Sequence, residues 1–231
     1  MKKHFIPIIL FMLLAQITFA QTSAIWNGSI NTDWYTNNTS ASEYTITTPQ
    51  QLAGLAELVY HGYSFSGKTI KLGANIMLNN TSGWENWANS PPINSWTPIG
   101  TSTSGFRFAG TFDGNGFVIS GIYINSTSDY QGLFGYIDGG SIKDIGVTAS
   151  YIKGGGYVGA LVGRGNNISN SYSTSTIQGT GNYVGGLTGS SSAISNSYFT
   201  GSVTGTSYVG GLVGSTSSTI NNSYFNGYGN R

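Results

Sequence analysis

Cysteine is absent from this chain, so no disulfide can hold it together and its own packing must do so. Charge is scarce as well: Asp, Glu, Lys and Arg make up 7% of the residues, against about 25% in ordinary soluble domains. Beyond the first twenty positions there is a single histidine, His61, which excludes a multi-histidine metal site and leaves a Ser-His-Asp triad only one possible base. No acidic residue follows Asp144, so the stretch 145–231 cannot supply the facing carboxylates of a glycosidase. Clustered Lys or Arg is missing too, which argues against nucleic acid or an anionic membrane as partner. After residue 20 no apolar run is long enough to cross a bilayer.

The first twenty residues read as an export signal. Lys2 and Lys3 are followed by the apolar run Ile6–Leu14 and by Thr18-Phe19-Ala20 as a cleavage site. The expected mature chain starts near Gln21, carries a net charge of about −1, and is secreted or displayed on a bacterial cell surface. Low charge alone would suit disorder, but 13% aromatic content and regularly placed Ile, Leu and Val argue for a packed core.

What the chain has in abundance is repetition. Tyr-Val-Gly-Gly/Ala-Leu-Val/Thr-Gly occurs at 157–163, 183–189 and 208–214, with a degenerate copy at Gly132-Leu133-Phe134-Gly135. A second phrase, Ile-Ser/Asn-Asn-Ser-Tyr, begins at Ile168, Ile194 and Ile220, and Ile142 begins its forerunner. The steps between those isoleucines are each 26 residues. A fixed period of this length means one supersecondary unit stacked on copies of itself. The repeats have no helix-period face; they offer short runs separated by Gly, Ser or Asn. The expected fold is therefore all-β, a right-handed parallel β-helix of six or seven turns over residues 64–231. Its rise is roughly 4.8 Å per coil. The glycine pairs at 159–160, 185–186 and 210–211 (Ala at 160) are read as permitting a bend. Tyr157, Tyr183 and Tyr208 should form one ladder, and Tyr172, Tyr198 and Tyr224 another.

Ahead of the repeats, Tyr44–Thr47 alternates like a strand. Thr48 and Pro49 then open a helix whose apolar face is Leu52, Leu55, Ala56 and Val59, with Gly62 as its stop. One amphipathic helix at this place is read as a cap on the open end of the array. The organisation expected is a signal at 1–20, a lead-in and capping helix at 21–63, first turns with a Trp-rich loop at 64–131, and repeats at 132–231 that continue past the chain end.

The Gly-Gly-Leu-Val-Gly phrases at 159–163, 185–189 and 210–214, each followed by Ile-x-Asn-Ser-Tyr, resemble the GLUG motif of bacterial surface and adhesin-like proteins. Gln51–Ala56 and Gly110–Gly116 are similar to the region that precedes such repeats. The resemblance implies a β-helical architecture and brings no settled activity with it.

Chemistry is thin. Asp113, Asp129, Asp138 and Asp144 could gather on successive turns as in β-helix lyases, but they read better as isolated turn and surface acids. Ser171, Ser197 and Ser223 lack a base nearby in sequence and read as stacked groups satisfying one another's hydrogen bonds. The function expected is a structural or adhesive module without enzymatic activity, with no catalytic residue, no metal site and no cofactor. It would bind host, matrix or cell-surface ligands, either glycans or surface proteins. The alternatives are a carbohydrate-binding module using Trp84, Trp87 and Trp96, or the repeat part of a larger exported enzyme. Candidate ligand-binding residues are those three tryptophans and the ladder Tyr172, Tyr198 and Tyr224, although the tryptophans read better as a lid folded over the rod's side and the tyrosines as a stack that stabilises the sheet by itself. The ending after Tyr224-Phe225 without a second cap points to end-to-end association or to further C-terminal domains.

Overall fold

From Ile142 onward, 26 residues make one coil along the isoleucine column. The computed structural model describes residues 24–230, and every strand pairing in it is parallel between successive coils. The expected export signal at 1–20 lies outside the described residues. The architecture is a parallel β-solenoid of about seven turns.

The first face stacks seven strands: Glu43–Ile46, Thr69–Leu72, Thr111–Asp113, Ser141–Lys143, Asn167–Ser169, Ala193–Ser195 and Ile220–Asn221. The second face runs from Ile76–Met77 through Val118–Ser120, Gly146–Thr148, Tyr172–Ser173 and Tyr198–Phe199 to Tyr224–Phe225. The third comprises Tyr123–Asn125, Tyr151–Gly154, Thr176–Gly179, Ser202–Thr204 and Tyr228–Asn230. The fourth comprises Phe134–Tyr136, Val162–Arg164, Thr188–Ser191 and Val213–Thr216, and a two-stranded patch pairs Asn182–Gly185 with Ser207–Gly210.

Register turns the repeated isoleucine into a column. Ile70, Phe112, Ile142, Ile168, Ile194 and Ile220 are successive partners on the first face. All but Ile220, on the last coil, are buried. On the second face Ile76, Ile119, Val147, Ser173, Phe199 and Phe225 form the facing column. Each fully buried Ile or Phe contributes about 1.5–3 kcal/mol, which is why like stacks on like with no disulfide needed.

The helix differs from expectation in its place. The strand Glu43–Ile46 precedes it and already pairs with Thr69–Leu72, so α2 (Pro49–Tyr60) is inserted between the first and second coils. Its N-terminus is closed reciprocally. Thr48 Oγ1 accepts from Gln51 N at 3.3 Å, and Gln51 Oε1 accepts from Thr47 N at 2.8 Å. Leu52, Leu55, Leu58 and Val59 enter the main core, while Ala56 is only partly buried. The lead-in is less irregular than its composition suggests. A one-turn helix, α1 (Asp33–Thr36), folds Trp34 and Tyr35 into an aromatic cluster with Tyr44 and Phe65, and Asn31 N donates to Gln50 O of α2.

The glycine pairs do not act by bending freely. None of them has positive φ; the left-handed residue at this bend is the tyrosine before them, Tyr130, Tyr157, Tyr183 or Tyr208. The glycines are needed because coils approach closely. A Cβ at Gly185 would lie 2.6 Å from Val213 Cα, and one at Gly189 would lie 2.6 Å from Tyr157 Cα.

Candidate functional site

The phrase Ile-x-Asn-Ser-Tyr is a corner, and each letter has a task. Its Asn is left-handed at Asn170, Asn196 and Asn222, with φ between 47° and 49°, and Asp144 takes the same place one coil earlier. Asn tolerates that region where most residues do not. The amides then chain along the solenoid. Asn222 Nδ2 donates to Asn196 Oδ1 (3.3 Å), Asn196 to Asn170 (3.1 Å), and Asn170 to Asp144 Oδ1 (2.9 Å).

The serines that follow are buried inside the corner. Ser197 Oγ accepts from Ser171 N at 3.1 Å and donates to Ser195 O at 2.7 Å; Ser223 and Ser171 repeat the arrangement. The stacked serines thus satisfy one another's hydrogen bonds as expected, but through backbone: the hydroxyls of Ser197 and Ser223 accept from the N–H of the serine one coil earlier, Ser171 and Ser197, and no hydroxyl meets the next hydroxyl. A nucleophilic role has no base beside it.

Outside the corner, Tyr172, Tyr198 and Tyr224 stack at 5.0 and 5.2 Å with ring planes within 8° of parallel. Burial, reinforced by the neighbouring rings, pushes the Tyr198 phenol above its ordinary range. The stacking covers each inner ring face with the next ring, as in a ladder that stabilises the sheet. The lower face of Tyr172 lies against Gly146, where a Cβ would meet the phenol oxygen at 2.7 Å. A second ladder, Tyr130, Tyr157, Tyr183 and Tyr208, stacks at 4.8–4.9 Å and covers its faces in the same way. Tyr130 was not anticipated in it, because its copy of the phrase is one residue shorter.

The three tryptophans do not form one patch. Trp96 is 4% exposed and lies in the main core, its Nε1 donating to Leu133 O at 3.1 Å. Trp87, also 4% exposed, packs edge-on to Tyr123 at 6.0 Å in a separate cluster with Tyr151, against which Trp84 lies half-buried. The loop is folded onto the side of the rod because Asn79 pins it. Asn79 Nδ2 donates to Asn94 O and Gly121 O, and its Oδ1 accepts from Asn94 N.

That pinning leaves an open cleft of about 630 Å³ between the loop and the lead-in. Trp26, Trp87 and the 99%-exposed Ile93 supply apolar walls, and Asn80, Asn86 and Ser90 supply polar groups. No charged residue lines it. Among the described residues the Nδ2 groups of Asn80 and Asn86 meet no partner, whereas their carbonyl oxygens accept from Ser82 N and Asn89 Nδ2. The cleft therefore offers unengaged amide donors beside apolar surface.

The four acids separate into distinct tasks. Asp113 Oδ2 and Asp144 Oδ2 share the Lys143 ammonium at 2.7 and 3.3 Å, in a groove of about 450 Å³ bordered by Asn170 and Tyr172. The hydrogen bond that Lys143 donates to Asp113, assisted by the carboxylate's charge, raises the Lys143 pKa. Asp129 Oδ1 accepts from Gly156 N at 2.6 Å, and Asp138 pairs with Arg107 at 2.9 Å. Among the described residues no three His, Asp or Glu side chains are placed to hold a metal ion. His61 Nδ1 meets only its own helix, at Glu57 O (2.9 Å) and Glu57 Oε1 (3.5 Å).

No family model and no curated protein sequence matches the chain. Among solved structures, a "putative immunoglobulin A1 protease" from Bacteroides ovatus is similar to it, with a TM-score of 0.56 and 20% sequence identity. The match covers 81% of this chain and 67% of the other. The likeness is one of fold. It corrects the expectation of a chain without enzymatic activity, because the same solenoid architecture is found in a protein described as a protease.

Proposed function

We propose that this chain is an exported, surface-displayed solenoid module that makes adhesive contact by binding neutral glycan chains in the cleft between the tryptophan loop and the lead-in. The reading is supported above all by the cleft's lining: unengaged Asn80 and Asn86 amides beside Trp26, Trp87 and Ile93, and no charge. Sugars present apolar C–H faces and hydroxyl acceptors together, and a concave site of several hundred Å³ with a few convergent polar groups suits a short stretch of such a polymer. This transfers the carbohydrate-binding role from a three-tryptophan platform to a two-walled cleft. The repeats are read as GLUG-type.

Affinity electrophoresis through gels holding soluble neutral polysaccharides (β-glucan, mannan, xyloglucan, starch) tests it. At least one should retard the protein, and the double variant Asn80→Ala/Asn86→Ala, both exposed positions, should run as in the polymer-free gel. No retardation by any of them, or retardation unchanged in the variant, would overturn the reading.

The likeness to the Bacteroides ovatus protein favours a second reading, in which the solenoid presents a protein substrate for peptide-bond cleavage. Incubation of the exported chain with immunoglobulin A1, followed by mass spectrometry, decides it: new peptide termini support it, and intact chains refute it.

A further inference from the structure

One column on the fourth face is unlike the others. Tyr136 and Arg164 are register partners, and the parallel bridge between Phe108 and Ile137 sets Arg107 opposite Tyr136 on the coil before. The Tyr136 ring therefore has a guanidinium from each neighbouring coil: Arg107 at 4.4 Å and Arg164 at 5.5 Å from its centroid. Arg164 is also 5.7 Å from the ring centre of Tyr157. Aromatic contacts on two sides hold a planar cation in one orientation without using its N–H donors.

The two arginines differ in what those donors do. Arg107 is engaged, through Nη1 with Asp138 Oδ2 (2.9 Å) and through Nη2 with Ser102 O (2.8 Å). Arg164 is exposed, and among the described residues its guanidinium meets no acceptor. It borders a polar cavity of about 260 Å³ that also includes Asp138, Asn166 and Ser190. At Asn166 this cavity meets a second, of about 410 Å³, bordered by Gly110, Gly140 and Asn167. Together they form a trough along the corner between the fourth and first faces, at a point where the coils carry glycine in place of bulky side chains.

We propose that this trough binds a strand of acidic polysaccharide. A uronate carboxylate sits bidentate on Arg164, and the adjoining sugar units lie over the glycines toward Asn167. The planar fork of Arg matches a carboxylate. Asp138 in the same cavity is already paired with Arg107 (2.9 Å), and Lys68 in the second cavity donates to Thr39 O and Ala41 O, so Arg164 is left to take a carboxylate. One such guanidinium suits the carboxylate of a uronate unit, whereas a nucleic acid strand would need a run of Lys and Arg. The trough is distinct from the neutral-glycan cleft, so the two proposals stand or fall separately.

The test is affinity electrophoresis of the full chain in gels containing alginate, a polyuronate, with pullulan as the neutral control and dextran sulfate as the sulfated one. Alginate should retard the protein. Arg164→Ala should weaken that interaction about tenfold, and Arg164→Lys, which keeps the charge but loses the fork, should fall between. Asn80→Ala/Asn86→Ala should bind alginate as the unmodified chain does. Arg164 projects from the surface, and circular dichroism confirms that each variant is folded. No retardation by alginate, retardation indifferent to Arg164→Ala, or stronger Arg164-dependent retardation by dextran sulfate would overturn the proposal.

Discussion

Removing one hydroxyl from the inside of the corner should destabilise the solenoid far more than its size suggests. Ser197 Oγ is the only acceptor shown for Ser171 N (3.1 Å), and it donates to Ser195 O at 2.7 Å. The first contact is buried and the second partly so, and Ser197→Ala opens no sizeable cavity, so the loss is almost purely one of hydrogen bonding. An orphaned buried donor costs about 1–3 kcal/mol; Ser195 O keeps its bond from Asn170 N (3.0 Å), so about 2 kcal/mol is expected. For a chain of this length each kcal/mol moves the midpoint by about 2–4 °C, so thermal unfolding followed by circular dichroism should shift down by roughly 4–8 °C. Ser223→Ala removes the same bonds from the partly exposed last coil, where water replaces them, and should cost about 0.5–1 kcal/mol. Equal shifts for the two variants, or a Ser197→Ala midpoint unchanged, would refute the view that these serines tie coil to coil.

Gly189→Ala places a Cβ 2.6 Å from Tyr157 Cα and Gly163 O; the forced separation of coils should cost about 3 kcal/mol, read from urea unfolding. Ser191→Ala should act in the opposite direction. Its hydroxyl is buried without a partner in the inward position that Ile137 holds two coils earlier, so the change should stabilise by about 1 kcal/mol in the same assay. Trp87→Ala should cost about 3 kcal/mol and expose the Tyr123–Tyr151 pair, seen as increased tyrosine solvent accessibility by solvent-perturbation spectroscopy. Burial raises the pKa of Tyr35, Tyr44, Tyr151, Tyr157 and Tyr198, and Asp113 raises that of Lys143. A raised folded-state pKa gives stability that is complete below the unfolded value, about 10 for Tyr and 10.4 for Lys, and lost as pH climbs through the folded one. Stability should therefore hold to about pH 9 and fall above about pH 10. Absorbance at 295 nm should show one class of tyrosines ionising only with unfolding; a single ordinary titration of all fifteen would contradict this.

The period was legible because a solenoid repeats its environment: Ile168 and Ile194 meet the same neighbours 26 residues apart, and selection for one core position is written down again for the next. The Asn-Ser-Tyr corner could be located for the same reason, although its wiring could not. Nothing in the letters says that Ser197 reaches backbone instead of another hydroxyl. The glycine pairs misled because a close approach between coils and a freely bending chain call for the same residue. That the tryptophans fold down over the rod's side could be read from the loop, but their partners could not, since Trp87 meets Tyr123 and Tyr151 on coils that the loop folds back to reach. The Arg107–Tyr136–Arg164 column escaped notice because the shortened phrase at Tyr130–Gly135 throws its members out of the regular period. The strand at Glu43–Ile46 was legible, but its place as the first rung of the solenoid was hidden by the helix inserted after it.

The stacking of positions 26 apart supports every site described here, and an absence makes it directly measurable: with no native cysteine, spin labels can be placed in pairs without other changes. Ser169 and Ser195 are register partners on adjacent coils, while Asn182 lies midway between them along the chain. Continuous-wave electron paramagnetic resonance of Ser169→Cys/Ser195→Cys should show strong dipolar broadening, as expected for strands about 4.8 Å apart. The pair Ser169→Cys/Asn182→Cys, half as far apart in sequence, should show sharp, uncoupled lines. Broadening in the second pair and none in the first would contradict the solenoid.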